Sequence, residues 1–120
     1  MSNEVSIQSC MDIVKEFCTA RDWDQFHNAK DLAIGIATEA GELLDLFRFK
    51  SLSDISGIFG NPEKLTKVEE EIADVFFFVL RFAQMNEIDL GNALENKLMK
   101  NNEKYPAEQV KGKNLKYNEY

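Results

Sequence analysis

Apolar residues recur at helical spacing in four segments of the chain, and polar residues separate those segments. Pro62 lies at the first turn of the third segment, and Pro106 follows the end of the fourth. No alternation of period two persists, which excludes an extended sheet. The pattern predicts an all-α fold that resembles a four-helix bundle. The predicted helices span about residues 6–21, 30–49, 62–85 and 90–105.

The segments between these helices are rich in turn-forming residues. Asn28 or Asp31 can cap the second helix. The stretch "KSLSDISGIFGNPEK" contains two glycines, an asparagine and a proline, and it is predicted to be a loop with one short helical turn. Residues 1–106 are predicted to form a single domain, and residues 107–120 a polar C-terminal tail.

A glutamate interrupts the apolar stripe of the second helix. Helical spacing places Glu39 in one row with four aliphatic residues, at Leu32, Ile36, Leu43 and Leu46. An ionised carboxylate at such a position costs several kcal/mol unless it has a partner. Three explanations stand: a raised pKa, an arginine partner at Arg48 or Arg81, or a bound cation.

A second pair of carboxylates repeats this arrangement on the third helix. Glu42 follows Glu39 by three residues, and Asp74 follows Glu71 by the same spacing, so each pair projects from one face. Packing the two helices together would gather four carboxylates, whose repulsion calls for cations. The expected core stripe of the third helix is Val68, Ile72, Val75, Val79 and Phe82.

The predicted ligand set consists of oxygen atoms only. The chain has one histidine, His27, and its two cysteines stand eight residues apart, so a zinc site would lack ligands. Carboxylates alone favour a hard cation, Mg²⁺ or Mn²⁺ in its place. Because Mg²⁺ commonly shares its coordination with substrate phosphates, the pattern indicates a nucleotide or another phosphoester. Gly35, inside the second helix, leaves room for a neighbouring helix or a ligand.

Charge and hydropathy narrow the possible partners. The formal net charge of −7 argues against binding a nucleic-acid polymer through its backbone. Residues 97–116 nevertheless carry six lysines and two glutamates, a local basic arm. No apolar run is long enough to span a membrane, and the N-terminus lacks the features of a signal peptide. A cytoplasmic protein is therefore expected.

Several segments resemble, in order, the MazG-like all-α nucleoside triphosphate pyrophosphohydrolases, and most closely their dCTP pyrophosphatase branch. They are "RDWDQFH", "EAGELLDLFRFK", "EEIADVFFFVLRFA" and the pattern from Lys97 to Pro106. The resemblance covers about residues 16–106. It implies Mg²⁺-dependent hydrolysis of a deoxynucleoside triphosphate to the monophosphate and pyrophosphate, a house-cleaning of the nucleotide pool. It also implies that the metal ligands and catalytic carboxylates are Glu39, Glu42, Glu71 and Asp74.

The same resemblance implies a set of substrate-binding residues. Trp23 and His27 match positions that line the nucleoside pocket, although taken alone they are typical of a core tryptophan and a surface or capping histidine. The positions that contact phosphate or sugar are Lys97, Asn101, Lys104 and Tyr105. Two positions depart from the branch, which tends to carry Trp where this chain has Phe49 and Tyr where it has Phe78.

An apolar run in the third helix bears on how the protein assembles. The apolar run "VFFFVL" predicts burial against another subunit, and the resemblance implies a homodimer or a homotetramer built as a dimer of dimers, with interleaved chains.

The alternative to an enzyme is a non-catalytic helical interaction module of the antitoxin type, in which an arginine neutralises Glu39. A ferritin-like di-iron bundle needs two Glu-x-x-His pairs, which one histidine cannot supply.

Overall fold

The computed structural model describes residues 5–119, and helices form all of the regular structure in that range. The all-α prediction is therefore confirmed. The α-helices are α1 (Ile7–Ala20), α2 (Ala29–Asp45), α3 (Leu52–Phe59), α4 (Pro62–Met85), α5 (Leu90–Lys104) and α6 (Ala107–Val110). Short 3₁₀ helices cover Asp24–Phe26 and Tyr117–Glu119. No helix of the described range has the length and apolarity that crossing a membrane requires.

Polar caps set the starts of the five longest helices. The side chains of Ser6, Asn28, Ser51, Asn61 and Asp89 each accept a hydrogen bond from a backbone N–H in the first turn of the helix that follows. Asn28 is therefore the cap of α2, one of the two residues the sequence offered. Four of these caps lie within two residues of a predicted helix start, because capping residues precede each apolar stripe.

Helix α3 replaces the loop that the glycines predicted. Ser51 and Asp54 form a reciprocal capping box that fixes its first turn. Ile58 is buried and anchors the helix to the core, so tertiary packing outweighs the weak helix propensity of Gly57. The second helix is also shorter than expected and ends at Asp45, before a turn in which Phe49 has a φ of 62°.

The chain forms two compact units, residues 5–87 and 88–119 in the described range. In the first unit, α4 packs against α1, α2 and α3. The buried apolar residues all belong to this unit: Val14, Cys18, Leu32, Ile58, Leu80 and Ala83. The second unit contains α5, α6 and the second 3₁₀ helix. The domain boundary expected at residue 106 stays a prediction.

The core face of α4 differs from the expected stripe. Glu71, Leu80, Arg81 and Ala83 are its buried residues, whereas Ile72 is half exposed. Ile72, Val75 and Val79 instead line a shallow apolar groove on the surface. The stripe was wrong because apolar residues cover most of this helix, so periodicity alone cannot choose which face meets the core.

Helices α2 and α4 run antiparallel and approach closely at Gly35. A Cβ atom at Gly35 would lie 2.5 Å from two carbons of the Phe78 ring. The glycine therefore serves tight helix packing, one of the two roles left open by the sequence. Further along, Glu39 and Glu42 meet Glu71, and Leu46 shares a cavity wall with Val68. As residue numbers increase along α2, the facing residues of α4 have decreasing numbers, so the two helices are antiparallel.

We expect Gly35→Ala to destabilise the fold by about 1–3 kcal/mol, because the added methyl group overlaps the Phe78 ring. Gly41→Ala on the same helix is the matched control, since its Cβ would meet nothing within 4 Å. That control should gain up to about 1 kcal/mol from the better helix propensity of alanine. Urea denaturation measures both. Equal stabilisation of the two variants would contradict the close approach.

Candidate active site

Three carboxylates from two helices meet in the groove between α2 and α4. Glu39 and Glu42 lie one turn apart on α2, and Glu71 faces them from α4. One oxygen atom from each of the three lies within 4.8 Å of the others. Glu71 is buried, Glu39 is partly buried and Glu42 is exposed. We call these three residues the acid cluster.

The acid cluster carries more negative charge than neighbouring groups neutralise. The Oε2 atoms of Glu39 and Glu71 are buried and, within the described residues, have no hydrogen-bond partner. The Nζ atom of Lys67 lies 3.1 Å from Oε1 of Glu71, the other oxygen of that carboxylate. Burial, followed by repulsion from Glu42, Asp74 and Glu71, raises the pKa of Glu39. Two open carboxylate oxygens among acids suit a hard divalent cation.

No arginine neutralises Glu39, which corrects one of the three explanations. Arg48 lies 3.8 Å from Asp45, a solvent-exposed pair. Arg81, about two turns beyond Asp74 on α4, is bound to Asp24 and His27. The arginine-neutralised acid that the interaction module requires is therefore not present in the described chain.

Asp74 connects the acid cluster to an apolar cavity. It lies close enough to Glu39 to raise the pKa of that carboxyl, but it is not one of the three clustered acids. The cavity, of about 410 Å³, is lined by Asp74 together with Trp23, Phe77 and Phe78. We call it the aromatic cavity. Flat rings beside a carboxylate suit a ligand that joins a planar base to a charged group.

A buried arginine holds the segment that carries Trp23 and His27. Arg81 is 1% exposed, and its guanidinium donates to the carboxylate of Asp24 and to Oε1 of Gln84, the latter at 2.6 Å. Its Nε–H donates to Nδ1 of His27 over 2.8 Å. The amide of Gln84 then donates to the carbonyl of Met11 at 2.8 Å. The network joins the 3₁₀ segment, α4 and α1.

The arginine also fixes the protonation of His27. Because an arginine Nε–H only donates, Nδ1 of His27 must accept, which leaves the ring neutral with its proton on Nε2. Burial, and next the charge of Arg81, lowers the pKa of His27. The His27 ring stands edge-on to Trp23 at 6.0 Å between centroids. The imidazole therefore has a defined donor beside the aromatic cavity.

The remaining predicted site residues are not members of the acid cluster. Phe49 is 91% exposed and packs against the guanidinium of Arg48, 4.7 Å from its ring centroid. It does not line the aromatic cavity. Four predicted phosphate or sugar contacts belong to the second compact unit: Lys97, Asn101 and Lys104 on α5, and Tyr105 at its end. Their substrate roles stay predictions.

Sequence reasoning missed the two basic residues that organise the acids and the histidine. Arg81 was considered only as a partner for Glu39, yet its position inside "VFFFVLRFA" indicates a buried charge that needs several acceptors. Lys67 stands four residues before Glu71, the spacing of a helical ion pair. Only the tertiary structure shows that Asp24 and Gln84 complete the arginine network.

Comparison with known proteins agrees with the all-α architecture. The sequence profile of the MazG-like family matches residues 34–120, which include all three members of the acid cluster. The chain therefore belongs to the MazG-like family, and the resemblance seen in its sequence motifs is confirmed.

Individual relatives define the enzyme class. The dCTP pyrophosphatase 1 of Rattus norvegicus is 30% identical over 116 residues, covering 97% of this chain and 68% of the relative. The dCTP pyrophosphatase 1 of Homo sapiens is 30% identical over 118 residues, covering 98% and 69%. A crystal structure of a pyrophosphatase from Archaeoglobus fulgidus matches with a TM-score of 0.77 and 33% identity, over 88% of this chain and 97% of that one. The chain is a nucleoside triphosphate pyrophosphohydrolase.

We expect Arg81→Met to release His27 from its single tautomer. The wild-type ring should titrate below its ordinary pKa of about 6.5, with the proton on Nε2 in the neutral form. In the variant, the pKa should rise because the nearby cation is lost and the carboxylate of Asp24 remains. His27 is the only histidine, so long-range ¹H–¹⁵N spectra report it without overlap.

Arg21→Met is the matched control, because the Arg21 side chain binds the carbonyl of Phe17 instead of His27. It should leave the imidazole signals unchanged. The depressed pKa of His27 also means that wild-type stability falls as the pH drops below about 6.5, since the unfolded chain takes up the proton first. Identical histidine titrations in the wild type and Arg81→Met would contradict this role of the arginine.

Proposed function

We propose that this enzyme hydrolyses deoxynucleoside triphosphates to the monophosphate and pyrophosphate, with Mg²⁺ or, in its place, Mn²⁺ held by the acid cluster. The reaction would remove unwanted nucleotides from the cytoplasmic pool. The observation that carries the proposal is the set of three carboxylates within 4.8 Å, two of which have a buried oxygen with no hydrogen-bond partner among residues 5–119. Such acids repel one another unless a cation joins them.

The residues of the groove divide the work between them. Glu39, Glu42 and Glu71 would hold the cation, since their oxygens already converge. A divalent cation there would offset the charge of the triphosphate and lower the pKa of a water molecule in the site. Trp23 and Phe78 would hold the nucleoside in the aromatic cavity, with the neutral His27 beside it. A nucleotide bound in this way would have its α-phosphate next to the acids.

Asp74 has two possible roles at the boundary between the acid cluster and the aromatic cavity. It either completes the cation site or accepts the proton of the attacking water. We expect Asp74→Asn to abolish turnover in both cases. The thermal shift caused by Mg²⁺ separates them: it persists if Asp74 is the base and disappears if Asp74 is a ligand. Turnover close to that of the wild type would rule out both roles.

The names of the relatives make dCTP the first substrate to test, but base preference does not follow from them. Phe49 is exposed on the surface instead of stacking in the aromatic cavity. Phe78 offers a ring without a hydroxyl, packed against Gly35. We propose that the aromatic cavity accepts several bases through stacking, which is tolerant of base identity.

We also propose that the enzyme is a homodimer or a homotetramer, as the sequence motifs implied. The groove formed by Ile72, Ala73, Val75, Phe76 and Val79 supports this, because the described chain leaves it uncovered. Ile72 and Phe76 are 49% and 40% exposed, and burying them in a second copy would remove apolar surface from water.

A product assay tests the proposed reaction. The protein is incubated with each standard dNTP, dUTP and 5-methyl-dCTP in the presence of Mg²⁺, and the products are separated by chromatography. We expect a monophosphate and pyrophosphate, with no turnover after chelation or in Glu39→Gln. Release of orthophosphate with a diphosphate would show attack at another phosphorus atom and would refute the mechanism.

Thermal melting of the same variant gives an independent measurement. Saturating Mg²⁺ should raise the wild-type Tm by about 5 °C or more, since it binds only the folded state. Glu39→Gln should lose this shift but melt higher than the metal-free wild type at pH 7. The sign follows from the raised pKa of Glu39, which removes stability as the pH rises above about 4.5. Glu70→Gln removes an exposed acid of α4 that is not part of the acid cluster, and this control should behave as wild type.

A further inference from the structure

A basic cavity lies in the same groove, on the side of the acid cluster opposite the aromatic cavity. It has a volume of about 280 Å³, and its wall includes Lys50, Lys64 and Lys67 above the buried side chain of Ile58. We call it the lysine cavity. A second hollow adjoins it and shares Lys50 and Lys64.

One carboxylate, Asp45, belongs to the lining of the lysine cavity. Asp45 pairs with Arg48 at 3.8 Å. Asp54, in the adjoining hollow, accepts a hydrogen bond from the backbone N–H of Ser51 as part of the cap of α3. Three lysines against that one lining carboxylate leave the cavity with net positive charge, and their ammonium groups provide donors suited to phosphate oxygens.

The order of groups along α4 gives the groove a direction. Lys64 and Lys67 come first, Glu71 follows one turn later, and Asp74 and Phe78 come next. Because α2 runs antiparallel, it places Gly35 opposite the ring of Phe78, and the turn that follows α2 brings Lys50 to the wall that holds the lysines of α4. The sequence along the groove is therefore basic cavity, acid cluster and aromatic cavity. A nucleoside triphosphate has the same order of parts when read from its terminal phosphates to its base.

Lys67 connects the lysine cavity to the acid cluster. Its ammonium lies 3.1 Å from Oε1 of Glu71, while its side chain stays 56% exposed. It therefore reaches the buried acid from the wall of the cavity, where a phosphate oxygen next to Glu71 would meet the same ammonium group. The structure thus supplies cationic donors directly beside the place where the α-phosphate would be held.

We propose that the lysine cavity binds the two terminal phosphates of the substrate and then the pyrophosphate that leaves. This inference rests on the proposed function. Water forms a bond to the α-phosphorus, and the bond from that phosphorus to the bridging oxygen breaks. Pyrophosphate departs with that oxygen and its electron pair, and a carboxylate of the groove receives the proton of the water. The lysines offset the negative charge that grows on the leaving group.

Product inhibition tests the proposal on the full chain with Mg²⁺. In the double variant Lys50→Gln/Lys64→Gln, inhibition by pyrophosphate should weaken about tenfold or more, since each lost lysine removes a charge-assisted contact. Inhibition by dCMP should stay the same, because the monophosphate occupies the other side of the groove. Both lysines are exposed, so the variant should fold with the wild-type Tm.

The control Lys15→Gln/Lys30→Gln removes the same charge from exposed lysines on α1 and at the start of α2. It should leave both inhibition constants unchanged. An equal weakening of pyrophosphate and dCMP in the first variant, or the same effect in the control, would show a general charge effect and overturn the proposal. Unchanged pyrophosphate inhibition in the first variant would also overturn it.

The assay separates failure of this inference from failure of the proposed function. If the wild type hydrolyses no nucleotide, the proposed function is wrong. Calorimetric titration of wild type and variant with magnesium pyrophosphate then decides the lysine cavity directly. Binding that weakens about tenfold in Lys50→Gln/Lys64→Gln supports it, and equal binding or no binding to the wild type refutes it.

Discussion

The mutual repulsion of carboxylates held together by helix packing is the constraint on which this structure depends. Glu39 and Glu71 come from different helices, and their side chains meet only because α2 and α4 approach closely where Gly35 faces Phe78. The packing energy of the core must therefore offset the electrostatic repulsion between like charges held at short distance. Burial, and next the repulsion from Glu42 and Asp74, raises the pKa of Glu39. A cation resolves the conflict, so the same packing that strains the metal-free groove prepares it for a ligand.

Successive helix turns place different kinds of side chain in the groove. One side is aromatic and contains Trp23, the middle is acidic, and the other side is basic through Lys64 and Lys67. Opposite charges placed next to each other neutralise part of the acid cluster in the absence of ligand, as the contact between Lys67 and Glu71 shows. Arg81 plays a different part further along α4, where its hydrogen bonds hold the Trp23 segment in place. Electrostatics thus positions both the ligand sites and the loop that borders them.

The sequence predicts the helices and the convergence of the acids well, because both depend on the spacing of residues close together in the chain. A glutamate in an aliphatic row and two i, i+3 acid pairs were enough to predict that the acids of α2 and α4 would meet. Long-range features were not predictable in this way. The pairing of Arg81 with Asp24 joins residues 57 positions apart, and α3 forms because Ile58 finds the core, which its glycines do not reveal. The predicted core stripe through Ile72 was wrong for a related reason. When most of a helix is apolar, its sequence does not show which face packs against the same chain.

Helix α4 fixes the order and spacing of the functional groups along its length. Its 24 residues span about 36 Å and carry, in fixed order, groups of the lysine cavity, the acid cluster, the aromatic cavity and the arginine network. One residue inserted or deleted in its middle would rotate everything beyond it by about 100° and carry Asp74 and Phe78 away from α2. Evolution can therefore change this protein's ligand preference by replacing side chains along α4, whereas changes of length are confined to the turns that separate the helices.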